Sequence, residues 1–241
     1  MPTKTPPTSG NKKGFPPSRV AAIIVAAGEG KRFGAAKQFV LLSGKPVLEW
    51  AIEAFVFHPE VDEVVVVLPE TSPAELIKMK WAKVKAVVAG GKERQDSAVR
   101  GLEAVSEGIE IVLIHDGVRP LVQAELITKI IQAARTYGAA IPALPIEETI
   151  KEVEKERVLR TWERERIVRV QTPQGFRRSL LQAGFNQAFQ QGYYGPDEAS
   201  LVERLGQEVV IVPGDKRNIK ITTAEDIKIA EVWLNEGGHR L

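Results

Sequence analysis

The stretch Ala22-Ile-Ile-Val-Ala-Ala-Gly-Glu-Gly-Lys-Arg-Phe-Gly-Ala-Ala-Lys-Gln-Phe39 decides the fold. It carries on an apolar, β-branched run that begins at Val20 and ends at Val25, which reads as a buried central strand. In the turn that follows, Ala26-Ala27-Gly28-Glu29-Gly30, only Glu29 has a bulky side chain. Gly28 and Gly30 let amide N–H groups turn inward and let a phosphate approach the backbone. Lys31, Arg32 and Lys37 then add positive charge. A strand, a turn of small residues and a cationic loop together make an anion cradle at the carboxyl end of a strand. The plain alternative is an ordinary βα turn with solvated charges. Two common phosphate motifs are excluded. Phe33 stands where G-x-G-x-x-G needs its third glycine, and G-x-x-x-x-G-K-[ST] is not matched.

The chain has 241 residues and a net charge of +2. That length suffices for one α/β domain with a large core, and that charge points to neither nucleic acid nor a membrane surface as a partner. The chain has no cysteine, which excludes disulfides, thiol catalysis and thiolate metal sites and fits a reducing, cytoplasmic setting. No apolar run is long enough to cross a bilayer. Residues Met1 to Ser18 are rich in Pro, Thr, Ser, Lys and Gly and lack the apolar core of a signal peptide, so they read as a disordered tail. Residues 19–241 are then the folded unit.

Along that unit, strand and helix patterns alternate. Val64 to Leu68, Val84 to Ala89, Ile109 to Ile114, Ala139 to Leu144 and Val209 to Val212 read as strands. Helices are expected over Pro46 to Phe57, Pro73 to Trp81, Ser97 to Val105, Leu121 to Tyr137, Arg178 to Gln191, Asp197 to Leu205 and Thr223 to Leu234. His58, with no acidic partner nearby in sequence, reads as a surface or capping residue. The turn Gly90-Gly91-Lys92-Glu93-Arg94-Gln95-Asp96-Ser97 reads by itself as a plain helix start; its repetition of the first turn's pattern on the same sheet edge lets both face one ligand, with Ser97 as a cap or a ligand contact. Asp116, at the end of its strand and just before Gly117, places a carboxylate on that edge to meet a metal-bound triphosphate. Its alternative is a plain pair with Arg119. Ile146 to Val153 and Ile167 to Val170 alternate around a polar stretch, Glu154 to Arg166. They read as two strands of a β-arm over about 145–172, too small to be stable alone and therefore packed on a second subunit, the alternative being a mobile surface loop. Thr172 to Phe176 reads as a tight loop. Lys220 lies between Ile219 and Ile221, so a strand there would point it away from both.

Taken in order, these motifs resemble 2-C-methyl-D-erythritol 4-phosphate cytidylyltransferases of the non-mevalonate isoprenoid pathway. The residues that carry the likeness are Ala26-Ala27-Gly28 with Arg32 and Lys37-Gln38, Gly90-Gly91 with Arg94 and Ser97, and His115-Asp116-Gly117-Val118-Arg119-Pro120. Thr149, Thr172-Pro173-Gln174, Asp197-Glu198-Ala199-Ser200 and Asn218 to Thr222 complete the set. The resemblance implies a Rossmann-like α/β fold with a mostly parallel twisted sheet, a protruding arm, a homodimer and Mg²⁺. It implies that Arg32 and Lys37 stabilise the transition state. Ala26, Ala27, Gly28, Gly30, Gly91, Ser97, Asp116 and Gly117 would hold CTP, with Asp116 on the metal. Arg164 and Lys220 would position the polyol phosphate, helped by Arg119, Thr149 and Thr172. Arg157, Arg160, Arg166 and Arg169 lie near Arg164 in sequence. The chain departs from the family's usual pattern at Ala36, where Pro is usual, and at Pro196, where Thr is usual.

The chemistry suits such residues. A phosphate monoester is already a nucleophile, so joining it to a nucleotide needs no strong base. The barrier lies in bringing two anions together, which cations relieve. The nearest rival reading is ribitol 5-phosphate cytidylyltransferase, which shares most of these motifs. A nicotinamide-dependent oxidoreductase is opposed by the missing third glycine and by the lack of an acid at the expected spacing after Val64 to Leu68. A catalytically dead nucleotide-binding protein is opposed by the presence of Arg32, Lys37 and Lys220.

Overall fold

A computed structural model describes residues 18–28, 36–72, 77 and 80–237. The expected tail up to residue 17, and most of the helix expected over 73–81, lie outside the described residues. Ser18, assigned to the tail on composition, is tied to the fold: Arg135 donates to its hydroxyl and to its carbonyl, both at 3.0 Å.

Strand β1 (Arg19–Val25) pairs in parallel with β4 (Glu63–Leu68) on one side and β6 (Ile109–Asp116) on the other. Beyond β4 lies β5 (Val84–Ala89), also parallel. On the far side of β6, β11 (Gln174–Arg177) runs antiparallel between β6 and β7 (Ala139–Pro145), and β12 (Val210–Pro213) pairs in parallel with β7. The result is the expected α/β architecture with a mostly parallel sheet.

Side-chain alternation along β1 builds two cores. Val20, Ala22 and Ile24 belong to a cluster with α1 (Val47–Val56) and α3 (Ala124–Tyr137). Ala21 and Ile23 belong to a cluster with α2 (Arg94–Glu103), α4 (Arg178–Gln190) and α5 (Glu198–Arg204). A strand with helices on both faces needs apolar residues at every position, and all of β4, Glu-Val-Val-Val-Val-Leu, is buried. The buried Glu63 accepts a hydrogen bond from Ser106 N–H at 2.8 Å. A third cluster joins the short ribbon β2 (Leu41–Leu42) and β3 (Lys45–Pro46) to α6 (Ala224–Gly237) through Leu42, Val47, Ile221, Ala230 and Leu234.

Several expectations need correction. Helix α2 begins at Arg94 rather than Ser97, because Glu93 N–H is already satisfied by the Asp96 carboxylate at 3.0 Å. Helix α3 begins at Ala124 rather than Leu121. Gln174 to Phe176 belong to a strand, not a loop, since insertion between β6 and β7 satisfies their backbone on both sides. The Thr172–Pro173 bond leading into that strand is cis. His58 is buried, with Nε2 3.0 Å from Thr128 Oγ1, and is structural rather than a surface group.

The arm also differs from its expected pairing. It is a hairpin of β8 (Lys151–Glu154) and β9 (Arg157–Thr161), closed by Lys155-Glu156 at φ of 42° and 67°. Two central residues at positive φ are the hairpin geometry that matches strand twist, usually signalled by Asn-Gly. Without that signal, the turn was not legible. Residues Val168–Val170 form β10, which pairs antiparallel with the end of β7 instead of with the arm. Alternation reports a half-covered strand but not its partner.

Candidate active site

The carboxyl ends of β1, β5 and β6 meet at a cavity of about 510 Å³. Its lining includes Ala26, Ala27 and Gly28 from the turn after β1, Gly91, Arg94 and Ser97 from the turn after β5, and Asp116 from the end of β6, with Lys37 and Lys220. The two turns are pinned to the sheet and to each other. Ala26 N–H donates to Val67 O at 2.8 Å and Gly90 N–H donates to Leu68 O at 2.7 Å. A Cβ on Gly90 would lie 2.1 Å from Ala27 Cβ, so only glycine permits this approach. Gly117 packs beneath, where a Cβ would lie 2.7 Å from that of Ala26. Gly28 is different: no atom of the described residues lies within 4 Å of a Cβ built there, and Gly28 lines the cavity. Ser97 shapes the second turn, accepting from Gly91 N–H at 3.1 Å and donating to Glu93 O at 3.2 Å.

The middle of the cationic loop, residues 29–35, with the expected contacts Gly30 and Arg32, lies outside the described residues. Its ends are held together. Gln38, buried, donates to Gly28 O at 3.4 Å. Ala36 has φ −69° and ψ 90°; that φ is the one a proline ring imposes, so alanine keeps the backbone shape the usual proline would set.

Asp116 is the electrostatic centre of the site. Arg94 Nε lies 3.2 Å from its Oδ1, and Lys220 Nζ and Arg119 Nε lie 2.9 and 3.5 Å from its Oδ2. Burial alone would push the carboxyl up, but Arg94, Lys220 and Arg119 outweigh it and hold the group well below the usual carboxylate range. Asp116 is therefore ionised at any physiological pH. Lys220 arrives without a strand. Ile221 N–H donates to Val118 O at 2.8 Å, which lays residues 219–221 beside the β6 turn and brings the lysine onto Asp116. Behind Asp116, its N–H donates to Thr172 Oγ1 at 3.0 Å, and Thr172 Oγ1 lies 3.1 Å from His115 Nδ1.

Gly117, Arg119 and Thr172 support the wall without lining the cavity, and two expected contacts are elsewhere. Thr149 is exposed, and Arg164 donates through Nη1 to Glu147 O at 2.9 Å; neither lines the cavity. Pro196 is exposed, offers no side-chain hydrogen bond and is also outside the lining.

Residues 20–236 match the family model for 2-C-methyl-D-erythritol 4-phosphate cytidylyltransferase (IspD). The chain belongs to the 2-C-methyl-D-erythritol 4-phosphate cytidylyltransferase family. A relative so named from Geotalea uraniireducens is 44% identical over 90% of this chain and 97% of its own length. Another from Syntrophus aciditrophicus is 42% identical over 92% and 99%. Among solved structures, the 4-diphosphocytidyl-2C-methyl-D-erythritol synthase of Anaerococcus prevotii superposes with a TM-score of 0.81 at 32% identity, covering 91% of this chain and all of that one. The Thermus thermophilus cytidylyltransferase superposes with a TM-score of 0.76 at 34% identity, covering 88% of this chain and 98% of that one. Membership in this cytidylyltransferase family, which the ordered motifs imply, is thereby shown, and neither the ribitol nor the nicotinamide reading is favoured.

Among the described residues of this family member, no cluster of three His, Asp or Glu side chains forms a metal cage. Asp116 is a single carboxylate in the cavity wall. That donor set suits Mg²⁺ shared with substrate phosphates, which needs only one or two carboxylates from the protein. The sequence reading missed the buried Glu198 that pairs with Arg94. Its place in the Asp197-Glu198-Ala199-Ser200 motif marked it without a role, since an acid directly after a capping Asp ordinarily marks a solvated helix start.

Proposed function

We propose that this protein transfers a cytidylyl group from CTP to 2-C-methyl-D-erythritol 4-phosphate, releasing pyrophosphate and 4-diphosphocytidyl-2-C-methyl-D-erythritol. The observation that carries the reading is the convergence of Arg94, Arg119 and Lys220 on Asp116, in the wall of the cavity that Gly28 also lines. An oxygen of the polyol phosphate attacks the α-phosphorus in line as the bond to the leaving pyrophosphate breaks. No protein base is needed. The histidine of the site, His115, is fully buried and pushed by burial down to about 4, which suits it to support rather than to proton transfer.

The chain's residues divide the remaining work. The turns at Ala26, Ala27, Gly28, Gly91 and Ser97 bind the nucleotide, with Gly117 packed beneath, and their close approach favours a pyrimidine over a purine. Lys37, with Arg32 and Gly30 from the loop, meets the triphosphate where charge develops. Lys220 and Arg119 bind the polyol phosphate. Asp116 would hold Mg²⁺, which when bound supplies further positive charge against the phosphates. Thr172 steadies Asp116 from behind.

Thr149 and Arg164 reach a polyol phosphate in a homodimer, where the arm embraces the second subunit. Support comes from the hairpin itself: Val153, Val158 and Leu159 are 62%, 59% and 57% exposed, and a lone two-stranded ribbon is marginal in water. The cytoplasmic setting rests on the cysteine-free composition.

Pyrophosphate release across substrate pairs tests the function. CTP with 2-C-methyl-D-erythritol 4-phosphate is expected to turn over, with ATP and ribitol 5-phosphate poor replacements. Equal use of ribitol 5-phosphate would move the assignment to that rival. Equal use of ATP would remove the cytidylyl assignment, and no release with any pair would sink the nucleotidyltransferase reading.

A further inference from the structure

Glu198 is a charged group with no evident business in the interior. It opens α5 directly after the capping Asp197, and its side chain is 1% exposed. Burial lifts its pKa above the ordinary value even with a guanidinium beside it. Arg94 Nη1 donates to both of its oxygens, at 2.7 and 2.9 Å. The same guanidinium turns Nε toward Asp116 Oδ1 at 3.2 Å. Arg94 therefore bridges a carboxylate on a helix and the carboxylate at the centre of the site, while lining the cavity itself.

The helix end of this bridge is locked to the sheet. Gln174, buried on β11, donates to Asp197 Oδ2 at 2.8 Å and accepts from Ala199 N–H at 3.1 Å. Asp197 caps α5 by accepting from Ser200 N–H at 3.0 Å. The first turn of α5 thus cannot swing away from β11 without breaking both hydrogen bonds to Gln174.

What would Arg94 do without Glu198? A guanidinium beside a carboxylate favours two parallel bonds in a fork. Freed from Glu198, Arg94 would close on Asp116 in that way and occupy its Oδ1 edge. Held by Glu198, it gives Asp116 only Nε. Nη1 is committed to α5, and Nη2, which has no hydrogen-bond partner among the described residues, is left as a donor for an anionic ligand.

We propose that Glu198 is a positioning residue. Through Arg94 it keeps Asp116 from being closed off and holds a guanidinium donor toward the phosphates of the bound substrates. The inference rests on the cytidylyl-transfer reading above. It assigns a role to α5, an element that supplies no lining residue to the cavity.

Three variants test it: Glu198→Gln, Arg94→Met and the double. Each is assayed for pyrophosphate release from CTP and 2-C-methyl-D-erythritol 4-phosphate, for CTP binding by calorimetry, and for thermal melting. Glu198→Gln keeps the shape but removes the charge. It is expected to lower kcat/KM on the order of 10- to 100-fold, the usual cost of losing a residue that orients a ligating group, and to weaken CTP binding. Arg94→Met should do the same, and the double variant should be no worse than Arg94→Met alone, because Glu198 acts only through Arg94. The double variant removes both charges of the pair together and leaves neither without its partner, so it is expected to fold where Glu198→Gln alone does not. Wild-type kinetics in Glu198→Gln, or losses that multiply in the double, would overturn the proposal. So would a lowered melting temperature with kcat, KM and CTP binding unchanged. Failure of the wild-type protein to release pyrophosphate would instead count against the reaction assigned above.

Discussion

His115 Nε2 lies 3.0 Å from Arg119 O, and a carbonyl only accepts, so Nε2 carries the proton and Nδ1 accepts from the Thr172 hydroxyl at 3.1 Å. That leaves Thr172 Oγ1 to receive Asp116 N–H. The ring also packs on Phe55 at 4.8 Å between centroids. One tautomer therefore orients a hydroxyl that steadies the central carboxylate. Burial favours the neutral ring and pushes its pKa down to about 4 from 6.5, with Asp116 pulling upward and Arg119 and Arg94 downward. Because the folded value is the lower one, the unfolded chain takes up its proton first as pH falls. The stability that neutral His115 confers is present above pH 6.5 and lost toward pH 4. His115→Gln keeps a donor near Nε2 and does not titrate. The stability advantage of wild type over this variant in urea unfolding should shrink by up to about 1.4 kcal/mol per pH unit across that window. An advantage that stays flat from pH 6.5 to 4 would show that His115 does not remain neutral in the fold.

At the level of elements, the two glycine-rich turns make contrasting demands. Gly90 sits against Ala27, and a Cβ there would lie 2.1 Å from the alanine's and 2.9 Å from Ser97 Oγ. At Gly28 no atom of the described residues lies within 4 Å of a built Cβ. Gly90→Ala must push the turns apart, at a cost of about 1–3 kcal/mol as in other overpacked sites, and should weaken CTP binding as well. Gly28→Ala should leave the melting temperature near that of wild type while weakening CTP binding, since its Cβ projects where the ligand goes. Matched melting and calorimetry on both variants would check this. A destabilised Gly28→Ala with normal CTP affinity would contradict the assignment of that face to the ligand. Both turns were legible as glycine-rich turns at strand ends on one sheet edge, from strand and glycine in succession. That they touch was not, because contact between turns some sixty residues apart depends on the order of β1, β4 and β5 in the sheet.

At the scale of the whole molecule, the arm's proposed part in the site is tested through the dimer. Arg164 is bonded to Glu147 O and Glu165 Oε1 and lies outside the cavity lining of its own chain. If it acts across a dimer interface, mixing two inactive proteins, Arg164→Ala and Lys37→Ala, should restore activity after subunit exchange. Some mixed dimers would then hold one site with both groups intact. Exchange followed by mass spectrometry without recovered activity would show that the arm serves its own subunit or another purpose. Arg164→Lys should also impair use of the polyol phosphate while sparing CTP, because lysine cannot form the paired bonds of a guanidinium.

Local pattern was enough to determine the alternation of strands and helices, the buried character of β1 and β4, the cradle at Ala26 to Gly28 and the family. These depend on residues close together in sequence, where periodicity and glycine placement act directly. Only the tertiary structure decided the partner of each strand, as with β10 joining β7 and Gln174–Arg177 entering the sheet. It alone also brought Arg94 and Lys220 onto the buried Asp116, whose pairing with Arg119 three residues on could be read locally, and Glu198 onto Arg94. A charge read in sequence looks solvated by default. Whether it is buried and paired is settled by elements a hundred residues away that pack over it, since burial is affordable only where an opposite charge is delivered to meet it.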